Sequence, residues 1–312
     1  MRVLVTGGAG FIGSHSVEEL MKAGHFVRVI DNLSTGKLDY LSTRGEIEVL
    51  REDIRDGDAL ARAMRGITHV LHLAAQVSVQ RSIDHPLESF GNNATGFMNV
   101  MEAARKTGVQ RFVYASSAAV YGLTGQGPVD ETTAPAPLSP YGLEKLVNDQ
   151  FAAMYGTLYG MSCIGLRYFN AYGPRQDPAS PYAGVISKFC ERVRLGQPLV
   201  VFGDGLQTRD FVHVHDIAEI NRLALVSKVE GVLNVGTGRS VSLLELIDTL
   251  AECFGRRPPI RHEPARTGDI VHSSMRVDRL VRELGKVPSI RLFEGLSHLV
   301  AEQLAGAAYA ER

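Results

Sequence analysis

Arg2-Val3-Leu4-Val5-Thr6-Gly7-Gly8-Ala9-Gly10-Phe11-Ile12-Gly13 is an apolar run that breaks into glycines and then continues with helical spacing. A buried strand, a tight turn and a helix are what this order of residue types predicts. Glycine at 7 and 8 lets the backbone turn sharply, and at 10 it allows close approach to a pyrophosphate. At 13 it removes a side chain where helix and strand press together. The phosphates then sit on the helix N-terminus. Two patterns overlap, G-x-G-x-x-G from Gly8 and G-x-x-G-x-x-G from Gly7, and the flanking sequence gives them weight. Val17, Leu20 and Met21 share a helix face, Gly24 ends the helix, and His25-Phe26-Val27-Arg28-Val29-Ile30-Asp31 reads as a second strand. Asp31 stands about 20 residues past the glycines, where a carboxylate accepts from adenosine ribose hydroxyls and repels a 2′-phosphate. The reading is a dinucleotide site that prefers NAD to NADP.

At 312 residues the chain can bury a large core and suits one large or two intimately joined domains. Charge is balanced, 33 Lys plus Arg against 34 Asp plus Glu, with no basic block, so nucleic acid is not an expected partner. No apolar run reaches the roughly 20 residues that cross a bilayer, and the apolar start is consumed by the first strand. A cytoplasmic protein without membrane contact is expected. Cys163, Cys190 and Cys253 are few and scattered, as reduced core thiols are. His213 and His215 fall in an alternating, strand-like stretch, and no histidine or cysteine spacing predicts a metal.

Strands continue to alternate with helices: Ile47 to Leu50, a short helix Asp58 to Met64, and a strand Thr68 to Ala75. A longer helix opens at Pro86 and carries Met98, Met101 and Ala104, and strand Val109 to Ala115 follows. A helix Tyr141 to Tyr159 and a strand Met161 to Tyr168 complete the rhythm. The expected fold is α/β, a Rossmann-like doubly wound parallel sheet with ligands beyond the carboxyl ends of its strands. From Asn170 prolines break the pattern, and a helix near Ile186 to Arg194 and a strand Leu199 to Phe202 suggest a smaller unit. Val232-Leu233-Asn234-Val235 again reads as a buried strand. The expected division is 1–168 with 212–238 returning to it, and a partly interleaved substrate-binding domain of 169–211 and 239–312.

Tyr141 and Lys145 are four apart on a helix and therefore share a face. An ammonium beside a phenol is expected to draw the phenol's pKa from about 10 towards neutrality and make it a usable base. Ser117 closes a strand in Ala115-Ser116-Ser117-Ala118-Ala119-Val120-Tyr121-Gly122, placing a hydroxyl at the sheet rim.

The glycine turn, the rim serine and Tyr141-x-x-x-Lys145 resemble the extended short-chain dehydrogenase/reductase family. More narrowly, Ser116 to Gly122, Ser139-Pro140-Tyr141-Gly142 and Leu166-Arg167-Tyr168-Phe169-Asn170-Ala171-Tyr172-Gly173-Pro174 resemble its nucleotide-sugar epimerases. The resemblance covers essentially the whole chain. It implies Ser117, Tyr141 and Lys145 as the catalytic set. It implies NAD contacts from Gly7, Gly10, Phe11, Ile12, Gly13, Asp31 and Asn32. Asp53 and Ile54 match positions at the adenine end, and Asn93 and Tyr168 match positions at the nicotinamide end. Leu73, Ala74, Ala75, Ser116, Tyr141 and Lys145 complete the cofactor set. For a UDP-sugar it implies Ser117, Tyr141, Asn170, Val185, Phe202, Arg209, Arg266, Asp269 and Ser273. The arginines would fork onto diphosphate oxygens, and Asp269 would accept from the uridine ribose. It also implies a homodimer built from paired helices.

The implied reaction is C4 epimerisation through a 4-keto sugar. Related 4,6-dehydratases place an Asp-Glu pair where this chain has Ala118 and Ala119, and decarboxylating relatives carry a glutamate there. Ser273 stands where members restricted to glucose and galactose often have tyrosine. The pocket is therefore expected to admit a 2-acetamido group as well as plain hexoses. Val77 stands where many such members have lysine. Uronic acid substrates, and a catalytically silent dinucleotide sensor, remain open on sequence alone.

Overall fold

The computed structural model describes residues 1–41, 47–123, 127–178, 184–265 and 271–310, with side chains described as far as residue 302. Its strands begin with β1 (Arg2–Thr6), β2 (Phe26–Ile30), β3 (Glu48–Leu50), β4 (His69–His72), β5 (Arg111–Ser117) and β6 (Cys163–Tyr168). There follow β7 (Asn170–Tyr172), β8 (Leu199–Phe202), β9 (Thr208–His213), β10 (Gly231–Val235), β11 (Ser240–Ser242) and β12 (Ile260–Glu263). The helices begin with α1 (Phe11–Lys22), α2 (Gly57–Ala63), α3 (Val79–Asp84), α4 (Pro86–Phe90) and α5 (Gly96–Thr107). They continue with α6 (Pro140–Tyr159), α7 (Val185–Arg194), α8 (Val214–Val226), α9 (Leu243–Phe254), α10 (Asp278–Leu284) and α11 (Leu292–Ala310).

Seven strands form one sheet in the order β10-β6-β5-β4-β1-β2-β3, all parallel, as the alternation of strands and helices predicts. From β1 the chain winds outward through β2 and β3, then crosses to β4 and winds the other way. The carboxyl ends of β1 and β4 therefore flank the switch point where such sheets bind ligands. Side chains alternate across the sheet. Val3 and Val5 of β1 and Val113 of β5 face one buried cluster with Val17 and Leu20 of α1 and Ile217 and Ile220 of α8. Leu4, Phe112 and Tyr114 face the other, with Phe97 and Met101 of α5. β10 extends the sheet beyond β6, with Val232 opposite Gly165.

The long helix expected from Pro86 is α4, one π-helical turn over Gly91–Thr95, and α5; α3 precedes it. The π turn carries Asn93, whose side chain is buried. A further three-stranded sheet, β11-β9-β7, and the parallel pair β12-β8 lie with α7, α9 and α11 around a third apolar cluster. His213 and His215 do not share a strand: His213 ends β9 and its Nδ1 accepts from His215 N at 3.3 Å, so His215 lies in the first turn of α8. The alternation that suggested a longer strand is cut by this cap.

Candidate active site

Gly7 has φ +69° and donates its N–H to Ile30 O at 2.9 Å, which binds the turn to the end of β2. The loop after β4 closes over it. Leu73 N donates to Thr6 O at 3.0 Å and Ala74 N to Thr6 Oγ1 at 3.2 Å. A Cβ on Gly7 would stand 2.7 Å from Ala74 N, and one on Gly13 would stand 2.0 Å from Gly7 O. Gly13 thus makes room for the turn's own carbonyl, not for a strand as the sequence reading had it. Helix α1 begins after Gly10 with no side-chain cap and no acid in its first turn, and the N–H groups of Phe11 and Ile12 precede its first intrahelical bond, Ser14 N to Gly10 O. Such a turn fits a pyrophosphate: its backbone is bare where a Cβ would intrude, and its first amides carry the positive end of the helix dipole.

Asp31 is buried at the end of β2; one carboxylate oxygen accepts from Ala9 N at 2.9 Å and the other from Leu33 N at 2.8 Å. It holds the glycine loop and the next turn together with a lone pair left on each oxygen. Asp53 accepts from Arg55 Nε at 2.9 Å and from Asn32 Nδ2 at 2.9 Å, and the Arg55 guanidinium holds its carboxyl well below the usual range. Ile54 packs on Gly96, where a Cβ would meet its Cδ1 at 2.7 Å. Half-buried Ala75 continues the loop after β4.

The chemistry-bearing face belongs to α6, which Ser139 caps by accepting from Gly142 N, with Pro140 in the first turn. Tyr141, Lys145 and Asp149 follow at four-residue intervals on one side of it. At the carboxyl end of β5, the Ser117 hydroxyl stands beside the Tyr141 phenol, favouring its ionised form, and accepts from Ala119 N at 3.1 Å. Its buried neighbour Ser116 precedes it on the strand. Lys145 is buried and donates to Ala115 O at 2.9 Å, with its Nζ 5.8 Å from the Tyr141 ring centroid. Burial lowers its pKa to about 8, with Asp149 and Glu144 resisting the fall.

One expectation is corrected here. The Tyr141 phenol lies above its ordinary range, not near neutrality, because burial penalises the phenolate more than the Ser117 hydroxyl favours it, and Glu144 opposes it further. The Lys145 ammonium is held by a backbone carbonyl and does not touch the phenol oxygen.

Asn93 and Tyr168 are spent on the protein itself. The Asn93 amide donates to Gln76 O at 2.9 Å and accepts from Gln76 N at 2.8 Å, fixing the loop that follows β4. The Tyr168 hydroxyl donates to Asn221 Oδ1 at 2.6 Å, and Asn221 donates to Ser16 Oγ at 3.0 Å, tying β6 through α8 to α1.

Around β9 the structure gathers Asn170, Arg209 and Ser273. Asn170 Nδ2 donates to Asp210 O at 3.1 Å, and Ser273 N donates to Thr208 O at 3.2 Å. Arg209 Nη1 donates to Thr208 O at 2.8 Å. Val185 opens α7 and half-buried Phe202 ends β8. Arg266 and Asp269 lie outside the described residues. Sequence reasoning missed Asp210, a buried carboxylate that accepts from Thr237 N and Gly238 N, both at 2.8 Å, and holds this region. It also missed the buried pair Arg167–Asp149 at 3.0 Å, which continues the α6 face beyond Lys145. No group of three or more His, Cys, Asp or Glu among the described residues forms a metal site.

Residues 3–236 match the family described as the NAD dependent epimerase/dehydratase family. The chain belongs to that family. It is 37% identical over 306 residues to a UDP-glucose 4-epimerase of Mycolicibacterium smegmatis, covering 96% of this chain and 97% of that one. A Thermus thermophilus UDP-glucose 4-epimerase solved in complex with NAD is 41% identical, with a TM-score of 0.91 and coverage of 98% and 100%. A UDP-N-acetylglucosamine 4-epimerase from Methanobrevibacter ruminantium, solved with UDP-N-acetylmuramic acid, is 34% identical, with a TM-score of 0.94 and 98% of each chain covered. The present chain brings the glycine turn and Ser117, Tyr141 and Lys145 together at the carboxyl rim of one sheet. No helix among its described residues is long and apolar enough to cross a membrane.

Proposed function

We infer that the chain is an NAD-dependent UDP-sugar 4-epimerase. One observation carries the reading: Ser117 stands beside Tyr141, one turn before Lys145, at the carboxyl end of the strand paired with β4, which in turn pairs with β1 and its glycine turn. NAD would be held by the glycine turn and the first amides of α1, and when bound would supply the hydride acceptor and donor at C4. Tyr141, in its phenolate form, takes the proton of the sugar 4-hydroxyl while Ser117 donates to the 4-oxygen, and the Lys145 ammonium keeps a positive charge near that phenolate until the proton arrives. The C4–H pair leaves as hydride and a ketone remains. When the ketone presents its other face, hydride returns to C4, Tyr141 gives its proton back to the oxygen, and the configuration inverts. Ala118 and Ala119 bring no acid or base to the rim, so water has no route out across C5 and C6.

In this proposal the seven-stranded sheet with α8 and β10 holds the dinucleotide, and the unit around β7, β9 and β11 holds the nucleotide. Asn170, Val185, Phe202, Arg209, Arg266 and Asp269 bind the UDP. Ser273 leaves room for a 2-acetamido group, so both N-acetylated and plain hexoses are substrates. The chain acts as a homodimer. Leu87 and Phe90 of α4 and Leu143, Met154 and Leu158 of α6 are exposed at helical spacing, an apolar surface of the kind a helix-to-helix interface buries. The test is to incubate the purified protein, without added cofactor, with UDP-glucose and separately with UDP-N-acetylglucosamine, and to follow the anomeric protons by NMR. The galacto epimer is expected from both. No epimer from either, even with NAD added, rejects the reading in favour of a dinucleotide sensor.

A further inference from the structure

Glu144 precedes Lys145 on α6 and points inward, only 3% exposed. Its Oε2 accepts from Asn93 Nδ2 at 2.6 Å and from Ser89 Oγ at 2.9 Å, while its Oε1 is buried with no hydrogen-bond partner. No lysine or arginine among the described residues forms an ion pair with it. A buried carboxylate without a counter-ion is costly, and a glutamine in its place would make the same two acceptor bonds without a charge. The Asn93 amide already grips the Gln76 backbone on both sides, and the Gln76 side chain donates to Ser89 Oγ at 3.2 Å and to Ser78 O at 3.0 Å. Through Asn93, Glu144 therefore ties the Tyr141–Lys145 face to the loop that closes over Gly7.

We propose that Glu144 is a positioning residue for the epimerase reaction, fixing the loop after β4 against α6 and bringing a carboxylate beside the Tyr141–Lys145 pair. This rests on the epimerase reading above. The charge has few competitors. From β6, Arg167 faces α6 but is paired with Asp149, and from β4 comes His72, which burial keeps neutral. Arg81 of α3 pairs with Glu88 of α4, and Glu102 of α5 with Arg105. Glu144 is left as the carboxylate with no ion-pair partner there; after Asp149 it resists loss of the Lys145 proton, and it opposes ionisation of Tyr141.

Glu144→Gln removes the charge and keeps the acceptor, so both groups should lose their protons about one pH unit lower. The whole pH profile of kcat should slide to lower pH, with NAD retained. Glu144→Asp keeps the charge on a shorter arm, so kcat should fall while the limbs of the profile stay in place. An independent readout is the tyrosinate absorption of NAD-loaded protein, taken as the difference from Tyr141→Phe; the phenolate should form at lower pH in Glu144→Gln. Unshifted limbs together with an unshifted phenolate titration in Glu144→Gln would overturn the proposal. If wild type proves to lack epimerase activity, the phenolate titration still decides the role of the charge, so the two readings fail separately. Should Glu144→Gln not fold, Glu144→Asp with displaced limbs counts against the proposal and with unmoved limbs supports it.

Discussion

Acidifying the protein from about pH 7.5 to about pH 5.5 should remove about 4 kcal/mol of stability, because three buried histidines resist protonation. His15 of α1, His72 of β4 and His213 of β9 are 4%, 2% and 1% exposed. Burial lowers their pKa values from 6.5 to about 4, about 3 and about 3 respectively. In the unfolded chain each takes a proton as the pH falls through 6.5, and in the folded chain none does until far lower. The unfolded state therefore binds more protons across the window, and stability present above pH 6.5 is lost as the pH falls. Each histidine contributes about 1.3 kcal/mol between the two pH values, and the sum does not depend on the folded values because all lie well below the window. His25, His69 and His215 are shifted the same way and add to the slope. For 312 residues this corresponds to a fall of about 6 °C in Tm. Urea unfolding at half-unit pH steps measures it, and His213→Asn, which can still cap α8, should remove about 1.3 kcal/mol of the loss. A flat stability across the window would refute the reasoning.

Gly13→Ala puts a Cβ 2.0 Å from Gly7 O, so α1 must retreat and lose amide contact with the phosphates. One lost charge-assisted bond, about 1.5–3 kcal/mol, should weaken NAD retention roughly 10- to 150-fold as read from the absorbance of the purified protein. Gly57→Ala, with nothing within 4 Å of its Cβ, should change nothing. Arg167→Met strands the buried Asp149 carboxylate and should cost about 3–5 kcal/mol in urea unfolding; a smaller loss than about 1 kcal/mol would mean that water reaches the pair. Ser273→Tyr should abolish turnover of N-acetylated UDP-sugars and spare plain hexoses, and equal slowing of both would dismiss the gate.

What could be read from the chain was what depends on local pattern. The order β1, glycine turn, α1, β2, Asp31 is contiguous, and each part has a residue type that only that geometry needs. The i, i+4 spacing of Tyr141 and Lys145 is equally local. The π turn over Gly91–Thr95 was not legible, because Gly91 and Gly96 interrupt nothing in the apolar spacing and the distortion is held by Asn93 bonding to Gln76 and Glu144, residues distant in sequence. The strands β7 and β11, at three residues each, are too short for periodicity to register and exist through pairing with β9.

The acidity of the Tyr141 phenol runs against the sequence expectation for a related reason. A charge pair on a helix face has a predictable direction in water, but desolvation has none until the fold says what is buried. At Tyr141 desolvation wins, and the partner expected to oppose it is engaged with Ala115 O. The same ignorance hid Glu144, since a glutamate beside a lysine on a helix reads as a solvated surface residue. Burial turns it into a carboxyl group with one oxygen bonded to Asn93 and Ser89 and the other without a partner. A phenol that stays protonated by itself must be drawn to ionise by something that arrives with the ligands. The positive nicotinamide of NAD is such a charge, so base strength would switch on with cofactor and substrate in place. Loss of the Glu144 charge should blunt that switch, leaving Tyr141 partly ionised whether or not NAD is bound.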